Sequence, residues 1–147
     1  MEDAMLACQK FDDSLFYNNI GVAANRSHMS AYEKGISSEL CAENELKTKG
    51  YEILGKRVRT QYGEVDILAK KGNDVVAVEV KQRKSLSAAR ACISIKQQKR
   101  IFNALLFIMS NRDELFANYR VDVICFDSVG RFEHIENAFT AESFAAY

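Results

Sequence analysis

Gly63-Glu64-Val65-Asp66-Ile67-Leu68-Ala69-Lys70-Lys71-Gly72-Asn73-Asp74-Val75-Val76-Ala77-Val78-Glu79-Val80-Lys81 is a hairpin spelled out in sequence. Val65 to Ala69 and Val75 to Lys81 are β-rich runs, and Gly72-Asn73 between them is a two-residue turn of the type that wants glycine at its first central position. Counting back from that apex opposes Asp74 to Lys71, Val76 to Ala69, Val78 to Ile67, Glu79 to Asp66 and Lys81 to Glu64. Opposed residues share a face and side chains alternate along each strand. One face is therefore predicted to carry Val65, Ile67, Ala69, Val76, Val78 and Val80. The other gathers Glu64, Asp66, Glu79 and Lys81 at one end, with Leu68 and Ala77 beyond them.

Two acids and a lysine at one end of a sheet have a specific chemical use. Directly opposed Cβ atoms lie roughly 4.5–5.5 Å apart, so Asp66 and Glu79 are placed to share one cation. Without a cation, two carboxylates that close repel, and one pKa rises. Mg²⁺, or Mn²⁺ in its place, takes oxygen ligands and needs only one or two carboxylates while keeping several waters. Such an ion activates water and neutralises charge on a phosphoryl group. Lys81, about 7 Å along the strand from Glu79, reaches toward the phosphate or the attacking water, and Glu64 is placed to orient it. The residues thus point to metal-dependent phosphodiester hydrolysis. An E-x-K on an exposed sheet face is, by contrast, ordinarily an ion pair contributing about 1 kcal/mol or less. The Gly-Glu-x-Asp segment in the partner strand and the turn that brings the acids together raise the first reading to about even weight with the second.

Charge is distributed unevenly along the chain. The 147 residues hold 20 Lys and Arg against 20 Asp and Glu, a formal balance of zero. From Lys81 to Arg100, however, Lys81, Arg83, Lys84, Arg90, Lys96, Lys99 and Arg100 are met by no acid, while Glu2, Asp3, Asp12 and Asp13 lie in the opening segment. A neutral protein can in this way present one basic face to nucleic acid. The composition, 48% hydrophobic and 27% charged, suits one soluble domain with its own core. No apolar run approaches the roughly 18 residues of a membrane span, and Met1-Glu2-Asp3 lacks the start of a secretory signal. A cytoplasmic protein without a membrane partner is the expectation. Cys8, Cys41, Cys92 and Cys125 have no zinc-like spacing and read as reduced thiols; His28 and His134 match no ligand pattern.

Outside the hairpin, residues 1–29 read as a poorly structured extension and 30–147 as the domain. Ser30 to Glu33 has the form of a capping box opening a helix that ends near Lys49, with Gly50 as its C′ residue and Ile36, Leu40 and Leu46 on its buried side. Spacing alone turns Glu39 and Glu43 toward solvent. Tyr51 to Arg59 reads as a strand. After Lys81 comes a loop rich in Ser and Ala, then a second capping box, Ser94 to Gln97. It opens a helix with Ile101, Leu105 and Ile108 in the core. Arg120 to Phe126 and Phe132 to Ile135 read as strands around a turn at 128–131, and the tail from Asn137 as a short helix. The order is α-β-β-β-α-β-β, a mixed sheet covered by helices.

Several of these segments together carry a resemblance: Glu39 and Ala42 between Gly35 and Gly50, Arg59, Gly63-Glu64-Val65-Asp66, Val78-Glu79-Val80-Lys81 with Arg83, Lys96 with Arg100-Ile101, Arg120-Val121-Asp122-Val123, and His134-Ile135-Glu136-Asn137-Ala138-Phe139. Over about residues 31 to 139 the chain resembles the YraN-like family, a largely uncharacterised bacterial family of the restriction-endonuclease-like fold, similar in its core to Holliday-junction resolvases. Ser38 stands where that family often has glycine, and Val58 where asparagine is common. The resemblance implies an α/β, restriction-endonuclease-like fold and a Mg²⁺-dependent endodeoxyribonuclease of the PD-(D/E)xK type acting on branched DNA. It puts Asp66, Glu79 and Lys81 on the catalytic pattern, with Glu39 as a further metal ligand from the first helix and Lys96 as an auxiliary basic residue. Arg83, Lys84, Lys96, Lys99 and Arg100 are then the expected nucleic-acid-binding residues. DNA is favoured over RNA, and a homodimer is the form in which resolvase-like enzymes cut two strands. The alternative is a protein that holds nucleic acid on a nuclease-like scaffold without cutting it.

Overall fold

The structure, a computed structural model, describes residues 30–113 and 118–144. The expectation for residues 1–29 lies outside them. Helix α1 (Ala31–Thr48) leads into strands β1 (Glu52–Thr60), β2 (Gly63–Lys71) and β3 (Asp74–Gln82). Helices α2 (Leu86–Ala91) and α3 (Ile95–Ser110) follow, then β4 (Asn118–Phe126), β5 (Phe132–Phe139) and a 3₁₀ turn (Ala141–Phe144). The five strands form one sheet in the order β1-β2-β3-β4-β5. All neighbours are antiparallel except β3 and β4, which run parallel and are joined by the α2–α3 crossover. This mixed α/β architecture, a sheet flanked by helices, is the expected fold class.

Local chemistry accounts for the element ends. Gly72 takes φ +59 and Lys71 pairs with Asp74, as the turn required. At the end of α1, Gly50 has φ +86, its N–H donates to the Lys47 carbonyl and the Tyr51 N–H to that of Leu46, a complete Schellman motif. Tyr51 and Leu46 also pack in one cluster, the apolar contact that accompanies it. Ser94 and Gln97 form the reciprocal capping box on α3. The helix begins at Ala31 as expected, but the side chain of Glu33 lies outside the described residues.

Three expectations are corrected. The Ser/Ala-rich segment after Lys81 contains α2, capped by Ser85 accepting from the Ala88 N–H; six residues are too few to show a helical period. β5 runs on to Phe139 instead of giving way to a helix at Asn137, because its second half still pairs with β4. On α1 the buried stripe is Ser38, Ala42 and Leu46 with Glu43, while Ile36 and Leu40 are half-buried. Small residues let that helix lie close on the sheet, and the Ser38 hydroxyl donates to Gln82 Oε1 of β3 at 3.0 Å.

Two cores lie on the two faces. Beneath α2 and α3, Val75, Ala77, Val121, Val123 and Cys125 meet Ile101, Leu105 and Ile108. Beneath α1, Ile67, Ala69, Val76, Val78 and Ile124 meet Ala42 and Leu46. Cys41, Cys92 and Cys125 are free thiols, and Cys8 lies outside the described residues.

The α1 face is closed at one end by a buried polar network. Asp122, fully buried, accepts from Arg120 Nε at 2.9 Å, from the Asn137 N–H at 2.9 Å and lies 2.7 Å from His134 Nε2. Lys49 Nζ is 3.2 Å from His134 Nδ1. An ammonium only donates, so Nδ1 accepts and the ring proton faces Asp122. Arg120 also reaches Tyr51 Oη, and Tyr51 in turn donates to Glu136. His134 is therefore a satisfied core histidine. Burial opposes charge on Asp122, but His134, Arg120 and the Asn137 amide outweigh it and hold the carboxyl below its usual range. Asp122→Ala should cost roughly 3 kcal/mol by urea denaturation at neutral pH, because it strands Arg120 and His134. The carboxylate's contribution is fully present above its ordinary value of 3.8 and lost as pH falls through the lower folded value. The deficit of the variant should accordingly shrink in acid.

Candidate functional site

The ladder between β2 and β3 keeps the predicted register from Lys71↔Asp74 to Ile67↔Val78 and stops there. Beyond it, Val80 N–H donates to the Asp66 side chain, Oδ2, at 2.8 Å. A carboxylate thus stands where a backbone carbonyl would continue the ladder. On the other side of β2 the pairs Lys56↔Ile67 and Val58↔Val65 form, but not the one between them, and Arg57 takes φ +48. The β1 register itself shifts elsewhere, between Ile53 and Gly55. Val65 packs under α3 while Ile67 packs under α1, so the faces of β2 change over at Asp66, which corrects the single apolar face predicted for the hairpin. Glu64 is corrected too: it opposes Arg59 and pairs with it at 3.2 Å instead of facing Lys81.

Asp66 and Glu79 are nevertheless brought together, though not as a ladder pair. Glu79 is 6% exposed. Burial first, and the neighbouring Glu79 carboxylate second, push Asp66 up to about 7; the Val80 N–H and Lys81 offset this only in part. Lys81 Nζ lies 2.5 Å from Glu79 Oε1, with 16% of its side chain exposed. Glu79 and Lys81 alternate with Val75 and Ala77 and oppose Val123 and Cys125 of β4, so they share the α2–α3 face.

Glu39 comes from the other face, on α1, and is neither solvated nor grouped with the pair. Arg57 holds it, Nε to Oε2 at 3.0 Å and Nη2 to Oε1 at 3.4 Å. Glu43 is buried between Lys47 and Lys56, at 2.7 and 3.0 Å. Burial disfavours its charge, and these two lysines more than compensate, lowering its pKa. Among the described residues no three His, Cys, Asp or Glu side chains converge as a ready metal cage. Asp66 and Glu79 do suit a hard divalent ion that keeps most of its waters, since an added cation would remove the repulsion between them.

The expected basic residues border the same end of the sheet. Arg83 and Lys84, exposed, follow β3, and Arg83 Nη1 donates to the Gln82 carbonyl. Lys96, Lys99 and Arg100 occupy the first turns of α3, which holds no acid in its first turn. Arg57 is the residue that the sequence reading missed; its only signal was a cation two positions before Arg59 in a strand beside the site. The pair titration is directly testable. Carboxyl NMR of the metal-free protein should show Asp66 ionising near pH 7, with the midpoint falling when Glu79→Gln removes the neighbouring charge. Between 3.8 and about 7 the folded state binds the extra proton, so wild-type stability should fall as pH rises across that window.

Comparison with known proteins places the chain. It is 43% identical over 114 residues to a UPF0102 protein of Thermodesulfovibrio yellowstonii, covering 76% of this chain and 99% of that protein. A UPF0102 protein of Nitrobacter winogradskyi is 36% identical over 116 residues, 78% of this chain and 98% of the relative. One from Bradyrhizobium sp. is 37% identical over 119 residues, 80% and 84% of the two chains. The model of that family matches residues 38–126, which include Glu39, Asp66, Glu79 and Lys81. The chain belongs to the uncharacterised protein family UPF0102, the YraN-like family that its motifs resemble.

Proposed function

We propose that this protein is a metal-dependent nuclease that hydrolyses phosphodiester bonds in branched or otherwise structured DNA. The observation that carries the reading is the juxtaposition of Asp66 and Glu79 at the point where the β2–β3 ladder ends, with Lys81 beside them. Burial and the Glu79 charge push the Asp66 carboxyl up to about 7, so its ionised form is disfavoured in the unliganded protein. That penalty has a use if the pair binds a cation. Asp66 and Glu79 would hold Mg²⁺ or Mn²⁺, with Glu39 as a further ligand once parted from Arg57. The ion supplies Lewis acidity to the phosphodiester and to the attacking water. Lys81 directs a positive charge at the same place and donates hydrogen bonds to a phosphate oxygen. The Val80 N–H keeps Asp66 Oδ2 oriented. Arg83, Lys84, Lys96, Lys99 and Arg100 contact the flanking phosphates, and a homodimer would set two such sites on two strands.

A second reading, binding without cleavage, draws on one observation: Glu39 and Glu79 each already have a cation, Arg57 and Lys81. Cleavage of four-way-junction and linear DNA in Mg²⁺ separates the two. Asp66→Asn and Lys81→Met should each lower cleavage about 100-fold or more while leaving the circular dichroism spectrum unchanged. Calorimetry should show Mg²⁺ binding lost in Asp66→Asn. Junction binding that is steeply salt-dependent, with no cleavage by the wild type in either metal, would favour the second reading.

A further inference from the structure

The β1–β2 turn carries a feature that cleavage chemistry does not use. Tyr62, 44% exposed, lies at the turn, and its ring meets that of Phe107 on α3 edge to face, centroids 5.9 Å apart. Phe107 is itself 36% exposed. Two large aromatic rings left in solvent against each other are an unusual use of a surface.

The neighbouring residue explains how the turn is seated. Gly63 has φ +144, and a Cβ built there would lie 2.8 Å from Arg100 Cγ and Cδ. Any side chain at 63 would displace Arg100, so glycine lets the arginine lie across the turn. Arg100 is exposed and has no ion-pair partner among the described residues. On α3, Lys96, Arg100, Asn103 and Phe107 fall at helical spacing and are all solvent-exposed. One stripe of this helix therefore passes from cations to an aromatic surface, with the β1–β2 turn alongside. Tyr62 precedes Asp66 by four positions, about 13 Å of extended strand. α3 covers the face on which Glu79 and Lys81 lie.

We propose that Tyr62 and Phe107 form a stacking platform for an unpaired nucleobase of single-stranded or splayed DNA, with Arg100 and Lys96 on its phosphates. The occupant follows from the pairing of aromatic faces with unpaired cations: bases stack on aromatic rings whatever their identity, while phosphates take the charge. A fully paired duplex hides its base faces and gains nothing from Tyr62. This deepens the nuclease reading, on which it rests for the position of the scissile phosphate. It makes the preferred DNA one with unpaired bases beside the cut.

The test uses the full chain with Ca²⁺ in place of Mg²⁺, so that binding is read without cleavage. Fluorescence anisotropy would compare an oligothymidine strand, a forked duplex and a blunt duplex. Tyr62→Ala should weaken strand and fork about tenfold and leave the blunt duplex unchanged; Tyr62→Phe should restore the affinity. Phe107→Ser, on the opposite side of the contact, should act in the same direction. A 2-aminopurine in the fork's single-stranded arm should be quenched on binding by wild type and not by Tyr62→Ala. Equal loss on all three DNAs, no loss on any, or no binding to single strands by the wild type would overturn the proposal. Selective loss in a protein that never cleaves would retain the platform and remove the nuclease. Cleavage that Tyr62→Ala leaves indifferent to strandedness would do the reverse.

Discussion

The hydrogen bond from Val80 N–H to Asp66 Oδ2 is the contact around which the rest is arranged. A strand in mid-sheet must satisfy its amides, and the ordinary solution is the neighbouring strand's carbonyls. Here a side chain takes that place, so β2 and β3 can part without leaving a buried donor unsatisfied. Several features of the candidate site accompany the parting. Asp66 is pulled into the fork, beside Glu79; the faces of β2 turn over, so Val65 and Ile67 serve different cores; and Arg57 leaves the ladder in a left-handed conformation to meet Glu39. The site is a break in a sheet held open by one of its own acids.

Holding it open has an energetic sign. Asp66 is half-buried beside a like charge, which disfavours its ionised form, whereas Asp122 is buried among donors that favour it. The two acids lie on one sheet, and opposite surroundings drive their pKa values apart. Structural burial of an acid is normally accompanied by partners, as at Asp122 and at Glu43 between its lysines. Asp66 departs from that pattern, since its surroundings leave its ionised form disfavoured.

Much of the fold was legible because its signals are local. Gly72-Asn73 fixes the hairpin's register, Ser94 with Gln97 starts α3, and Gly50 stops α1; each depends on a few adjacent residues. The pairing of Asp66 with Glu79 was legible from that register, even though the ladder stops one pair short of it. The stop itself was not, since there a side chain takes the place of a carbonyl, which alternation does not announce. Nor was the engagement of Glu39 by Arg57, because a left-handed arginine has no sequence signature. α2 was too short to show a period. The partners in the Arg120, Asp122 and His134 network are distant in sequence, and no pattern joined them before the fold did.

The parallel pairing of β3 with β4 carries a consequence for how the molecule assembles. Glu39, Arg57, Asp66, Glu79 and Lys81 all belong to α1 and the β1-β2-β3 meander, whose strands are joined by tight turns. β4 can join only after α2 and α3 have crossed over, a loop closure with a larger entropic cost. Contacts of short sequence separation cost less chain entropy to close, so the acids and the lysine are grouped by the local half of the sheet. In the meander alone Glu79 and Lys81 would lie on an edge strand, without the β4 neighbours Val123 and Cys125. Among the described residues the later half of the chain adds no carboxylate to the group; its strand β4 borders Glu79, which is buried, and Lys81, which stays partly exposed.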